Sequence, residues 1–364
     1  MTPPSPHDHG LPVHLPPVIM DVTNSTRTTR GAATPVPSLR RRPAGSASLD
    51  AAGITDPQLR ADLLECRRLH AEHGKTYFLA TALLPPAKRP WVWALYGFAR
   101  YADEFVDSLT DPDPDALVSW SDEFLASIDG REQPTEPVGR AMLATVRRWD
   151  LPLDTVTAFL DSMRADITTT HYPTYADLQG YMYGSANVIG LQMLPVLQPL
   201  PGAEAEAAHR AELLGEAFQV SNFIRDVGED LDRGRTYLPD EHLEAFGVTR
   251  ELLEAGRRAG PEAPLDRRVE ELLRFEVAEN RKVYAEAEPG IALLHPTSRD
   301  SIRCAFELYG GILGAVEDAG YRVLAQRVSV PVPRRLAVAL PALARARAAR
   351  REMTRWKALP HPSP

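Results

Sequence analysis

From Asp56 to about residue 327 the apolar residues recur at spacings of three and four, and no run alternates apolar and polar residues between hairpin turns. That spacing is the period of an amphipathic helix and excludes a sheet-based core. It predicts helices near residues 57–72, 87–108, 115–128, 137–149, 153–169, 175–197, 204–231, 266–286 and 298–327. Short breaker loops separate them, such as Asp111 to Pro114 and Pro199 to Gly202. With 44% apolar residues in 364, the chain carries enough for one sizeable core. The expectation is a single all-α bundle over residues 51–330.

The two ends read differently. Residues 1–50 hold nine of the 33 prolines and no aromatic residue, and such a segment buries too little apolar surface to offset its ordering entropy, so it is expected to be disordered. It lacks the apolar stretch of a secretory signal, and no run of about 18 apolar residues would span a membrane. Residues 331–364 read as a basic C-terminal helix and tail, with Arg334, Arg335, Arg345, Arg347, Arg350, Arg351, Arg355 and Lys357, interrupted by Pro341. This stretch suits either a solvated final helix or peripheral contact with anionic lipid. The net charge of −8 gives no footprint for nucleic acid. Two cysteines, Cys66 and Cys304, make no disulfide framework and point to a reducing, cytoplasmic setting, with the inner membrane face as the peripheral alternative.

Two helices carry polar stripes. Tyr96, Arg100, Asp103 and Asp107 have offsets of 0, 4, 7 and 11 and fall within roughly 60° on a helix. Gln219, Asn222, Asp226 and Asp230 have offsets of 0, 3, 7 and 11 and fall within about 80°. The other faces are apolar, with Phe98 and Phe105 on the first helix and Val220, Phe223, Ile224 and Val227 on the second. Carboxylates four residues apart, with no lysine between them, repel, and burial raises that cost. A cluster of Mg²⁺ ions removes it, because Mg²⁺ takes oxygen ligands and bridges to substrate phosphates. Arg100, Arg225 and Arg235 then add charge-assisted hydrogen bonds to phosphate oxygens. The competing reading is a pair of solvated acidic faces.

The segments Gly74-Lys-Thr-Tyr-Phe-Leu-Ala80, Trp93-Ala-Leu-Tyr-Gly-Phe-Ala-Arg-Tyr-Ala-Asp-Glu-Phe-Val-Asp107, Asn222-Phe-Ile-Arg-Asp-Val-Gly-Glu-Asp230 and Arg233-Gly-Arg-Thr-Tyr-Leu-Pro239 resemble the signatures of the phytoene and squalene synthase family. The resemblance covers roughly residues 70–330. It implies the all-α isoprenoid-synthase bundle with a central active-site cavity. It also implies that Asp103, Asp107, Asn222, Asp226 and Asp230 serve a Mg²⁺ cluster, with Mn²⁺ as the alternative ion. Lys75, Thr76, Tyr96, Arg100, Gln219, Arg225, Arg235 and Tyr237 are then expected around the diphosphate, and Tyr181, Tyr183 and Tyr321 in the cavity. Within the family, Tyr183-Gly-Ser-Ala-Asn-Val-Ile-Gly190 looks most like bacterial phytoene synthases, with Asn187 departing from the small residue expected there.

The reaction so implied joins two prenyl diphosphates head to head. Geranylgeranyl diphosphate is the expected substrate and farnesyl diphosphate the alternative; the geranylgeranyl route runs through a cyclopropyl diphosphate to phytoene, the start of carotenoid synthesis. The rivals are squalene or dehydrosqualene synthesis and, outside enzymes, an inactive helical assembly subunit.

Overall fold

The computed structural model describes residues 43–107, 113–128, 130 and 133–358, without the side chains of residues 106, 107 and 354–358. The body is helical, and its only β pairing among the described residues is an isolated bridge between Pro199 and Leu294.

Local sequence chemistry sets the helix starts. Helix α1 (Ser46–Ala51) precedes α2 (Pro57–His73), which opens with Pro57 at its first position while Asp56 caps the Leu59 amide at 2.8 Å. Proline costs nothing there, because the first amides of a helix lack partners. After α3 (Lys75–Thr81), α4 (Arg89–Asp107) and α5 (Pro114–Ile128), the same device starts α6 (Pro137–Trp149), where Glu136 caps Gly139 at 2.7 Å. Helices α7 (Leu153–Ala165) and α8 (Tyr175–Met182) come next, α8 opening on a capping box between Thr174 and Asp177. One turn of π-helix (Tyr183–Asn187) joins α8 to α9 (Val188–Leu197). Helix α10 (Glu204–Asp232) is the longest, at 29 residues. Then come α11 (Asp240–Ala245), α12 (Arg250–Ala259), α13 (Arg267–Ala287), a 3₁₀ turn (Glu288–Leu293), α14 (Pro296–Asp318) and α15 (Val332–Ala358).

Three apolar cores result. The first joins α2, α4, α5, α6, α7 and α9 around Phe98, Phe124 and Phe159. The second joins α10, α13 and α14. The third joins α3, α14 and α15 through Ala339, Ala342 and Ala346. A two-pronged ion pair ties α2 to α6: Arg140 donates to the buried Asp62 at 2.9 and 2.8 Å.

Several expectations change. Residues 1–42 lie outside the described residues, but the boundary expected at residue 50 moves toward the N-terminus, because Leu49 of α1 is fully buried. The helix expected to run to residue 327 stops at Asp318, where Gly320 and Tyr321 both take positive φ. The C-terminal helix is not separate from the body: three of its alanines are buried against α3 and α14. Helices α11 and α12 fill a stretch where no helix was expected; each is short. Cys66 and Cys304 are free and buried.

Small residues set how closely the central helices approach. A Cβ on Gly190 would lie 2.4 Å from the Ala211 carbonyl oxygen, and one on Gly215 would lie 2.6 Å from that of Ala186. Gly180, on exposed α8, has nothing within 4 Å. Gly190→Ala is therefore expected to cost about 1–3 kcal/mol through overpacking. Gly180→Ala is expected to gain about 0.5–1 kcal/mol from helix propensity. Denaturant unfolding of the two variants beside the parent checks both; equal midpoints for the two variants would contradict the packing account.

Candidate active site

A cavity of about 390 Å³ opens between the first two cores. Its walls come from α3, α4, α9, α10, the 3₁₀ turn and α14. Most of the wall is apolar or small, including Ala80, Leu95, Ala186, Ile189, Met193, Leu214 and Ala305. The polar side chains that line it include Tyr96, Arg100 and Asp103 from α4 and Gln219, Asn222 and Arg225 from α10. Parts of the two stripes read from the sequence thus meet across one cavity, Tyr96, Arg100 and Asp103 with Gln219 and Asn222, while Asp226 and Asp230 are not among its lining residues.

Each stripe is held in place. The Tyr96 ring lies where a side chain on residue 74 would be, since a Cβ there would come within 2.5 Å of its Cζ. Its other neighbour is the imidazole of His70, stacked at 4.1 Å and 11°. His70 is fully buried with neither ring nitrogen hydrogen-bonded, and burial pushes its pKa down to about 3, with the Arg67 charge adding to the shift. Beside Tyr96, Tyr77 stacks on Tyr309 at 4.4 Å and Tyr309 on Phe218 at 4.6 Å, a continuous aromatic wall. Burial pushes the Tyr309 phenol up, while hydrogen bonding with Tyr77 and the charges of Arg225 and Arg327 pull it down.

Asp226 lies one residue beyond the cavity wall and is gripped by arginine. Arg225 donates from Nε to Oδ1 at 2.7 Å and from Nη2 to Oδ2 at 2.5 Å. Asp230 pairs with Arg233 at 3.7 Å.

Tyr181, Tyr237 and Arg235 gather elsewhere, around Asp166 at the end of α7. Tyr181 donates to Asp166 Oδ2 at 2.8 Å, Tyr237 to Oδ1 at 3.4 Å, and Arg235 to the Asp166 carbonyl at 3.1 Å. Burial, then the Asp166 charge, raises both phenols. Lys75 is exposed and Thr76 half-buried in the first turn of α3. Tyr183 is 41% exposed. Tyr321 is buried in the second core with the Arg274 guanidinium 4.8 Å above its ring, and it does not line the cavity. The Asp107 side chain lies outside the described residues. Sequence reasoning missed Tyr77, Phe218, Tyr309, Asp166 and Arg327. Tyr77 sits inside the Gly74–Ala80 signature, and Tyr309 sits among the small residues of α14; both positions were available as signals.

Among the described residues no three His, Cys, Asp or Glu side chains converge as a metal cluster. The donor set still fits a hard cation. Its members are oxygen donors, and the buried Asn222 Oδ1 has no hydrogen-bond partner, while its amide nitrogen donates to Gln219 at 3.5 Å.

The helical bundle with its central cavity is the isoprenoid-synthase fold. It is similar to the crystal structure of a dehydrosqualene synthase, with a TM-score of 0.71 at 24% identity, covering 83% of this chain and 99% of that one. The family model for squalene/phytoene synthase matches residues 70–334, and this chain belongs to that family. It is 35% identical to a phytoene synthase of Arthrospira platensis over 288 residues, covering 76% of this chain and 90% of the relative. It is 33% identical to a 15-cis-phytoene synthase of Synechocystis, covering 74% and 81%.

The Asp166 cluster makes a prediction of its own. Asp166→Asn replaces one acceptor oxygen by a donor against two part-buried phenols, and leaving such groups unsatisfied costs about 1–3 kcal/mol. A melting temperature lowered by several degrees is expected; an unchanged one would show that neither phenol depends on the carboxylate.

Proposed function

We propose that this enzyme condenses two geranylgeranyl diphosphates head to head to phytoene, using Mg²⁺ or Mn²⁺. The observation that carries the reading is a cavity apolar along most of its wall, with two facing polar stripes on α4 and α10. The phytoene synthase relatives at 33–35% identity support the product.

The residues divide the work. Arg100 and Arg225 donate to diphosphate oxygens, and Gln219 adds a neutral donor. Guanidinium–phosphate contacts are charge-assisted and strong where water is excluded. A divalent cation would supply Lewis-acid stabilisation of the departing diphosphate, and Asp103, Asn222, Asp226 and Asp230, with Asp107, are the residues that would hold it. The apolar wall takes both prenyl tails and keeps water from the allylic cation. Tyr77, Tyr309 and Phe218, stacked on one another, add aromatic surface to that wall.

The test is incubation of purified protein with geranylgeranyl or farnesyl diphosphate, with and without NADPH. Phytoene from geranylgeranyl diphosphate, with diphosphate release abolished by EDTA and restored by Mg²⁺, is expected. Asp226→Ala should lower kcat at least about 10²-fold. Squalene or dehydrosqualene from farnesyl diphosphate alone would move the substrate assignment, and no diphosphate release would leave an inactive assembly subunit.

The setting of the enzyme is proposed from α15. Among the described residues no helix is long and apolar enough to cross a membrane. Val332, Leu336 and Leu340 are 57%, 48% and 62% exposed and recur every fourth residue along one face. Arg334, Arg347 and Arg351 are exposed on the same helix. An apolar stripe flanked by arginine suits peripheral contact with anionic lipid. Sedimentation with phosphatidylglycerol vesicles is expected, and should be lost in a Leu336→Ser, Leu340→Ser variant. Equal binding by both proteins would remove α15 from the contact.

A further inference from the structure

Arg327 lies in the segment between α14 and α15 and reaches back to α10. Its Nε is 2.9 Å from Asp226 Oδ1, its Nη2 donates to Oδ2 at 3.2 Å, and its Nη1 is 3.5 Å from Glu229. Arg225 approaches the same two oxygens, at 2.7 and 2.5 Å. A carboxylate has about four lone-pair directions, two on each oxygen. Each oxygen of Asp226 lies within 3.2 Å of one nitrogen from each guanidinium, and three of these four contacts are hydrogen bonds.

A divalent cation that ligates Asp226 competes with these nitrogens for the same two oxygens, so one guanidinium must give way. The two are not equal. Arg225 sits on α10 itself, with a side chain 16% exposed, and lines the cavity. Arg327 is 50% exposed and belongs to a segment outside any helix. Moving an exposed side chain disturbs little packing, whereas withdrawing Arg225 would strand a buried charge.

We infer that Arg327 is an exchangeable latch on Asp226: it occupies the carboxylate in the free enzyme and is displaced when a divalent cation arrives. The inference rests on the metal reading proposed above and adds a competitor to it. Metal entry then releases a guanidinium at the mouth of the site, so that cation binding and the site's positive charge rise together. The free enzyme holds its cation weakly, because each binding event must first break a two-pronged ion pair.

The experiment is Mn²⁺ titration of the purified full-length protein, monitored by electron paramagnetic resonance without substrate and repeated with inorganic diphosphate. Arg327→Gln removes the latch and is expected to tighten Mn²⁺ binding about tenfold in the free protein, the size of a charge-assisted pair lost from the competing state. Arg327→Lys separates a latch from a simple field effect. An ammonium keeps the charge but does not fork over both oxygens, so the latch predicts tightening close to that of the glutamine variant. Lysine behaving as the parent would mean that only charge acts and would overturn the latch. So would an Arg327→Gln affinity within twofold of the parent or weaker. If the parent binds Mn²⁺ with diphosphate yet Arg327→Gln changes nothing, the metal reading stands and the latch falls. If neither protein binds Mn²⁺ even with diphosphate, both fall.

Discussion

Negative charge beside an apolar cavity must be neutralised, and this structure is arranged around how that is done. Asp226 has a side chain only 16% exposed, on a helix whose opposite face is buried through Val220, Phe223, Ile224 and Val227. Four guanidinium nitrogens carry its charge. Those contacts fix the rotation of α10, because a carboxylate held on both sides cannot move to another face without stranding a charge. The rotation of α10 in turn places Gln219, Asn222 and Arg225 in the cavity and Phe223, Ile224 and Val227 in the second core.

The opposing wall depends on close backbone approach. Gly190 faces the Ala211 carbonyl and Gly184 faces the Ala158 carbonyl, each nearer than any side chain would allow. These glycines bring α7, α9 and α10 together, and Gly190 also lines the cavity. The room comes from neighbouring small side chains such as Ala186, carried on the π-helical turn between α8 and α9. A π turn inserts an extra residue into the helical repeat and so shifts the register of α9 relative to α8. It lies where the cavity wall must turn.

Legibility in the sequence tracks the range of the interactions concerned. The stripes on α4 and α10 were legible because a 3.6-residue period puts Arg100 and Asp103, or Asn222 and Asp226, on one face regardless of tertiary context. The proline-started helices were legible for the same local reason. Asp166 was not, since nothing near it in sequence announces that the chain 71 positions later, at Tyr237, returns to it. Arg327 lies 101 residues from Asp226 in a stretch whose apolar spacing imitates a continued helix; the left-handed turn at Gly320 and Tyr321 ends that helix. Tyr321 shows the converse error. The family resemblance placed it in the cavity, yet the turn it makes buries it in the second core beneath Arg274.

The two ends of the cavity are built to different mechanical standards. Near Leu197 and Leu294, which line it, the wall is stapled by backbone: Leu200 donates to Leu293 and His295 to Gln198, both at 2.7 Å. Buried Lys88 adds bonds to the Leu197 carbonyl at 3.1 Å and to Ser298 at 3.0 Å, and burial lowers its pKa to about 8. Turning Lys88 or Ser298 would break a buried hydrogen bond, which carries the full desolvation penalty. Around Asp226 the holding groups include half-exposed arginine, whose ion pairs exchange at small cost. On the proposed reaction, a site that must release charged diphosphate yet hold hydrocarbon tails in register needs this asymmetry. Rigidity at the Leu197–Leu294 end would then limit what fits, and exchangeable charge near Asp226 would let the electrostatics change without repacking the core.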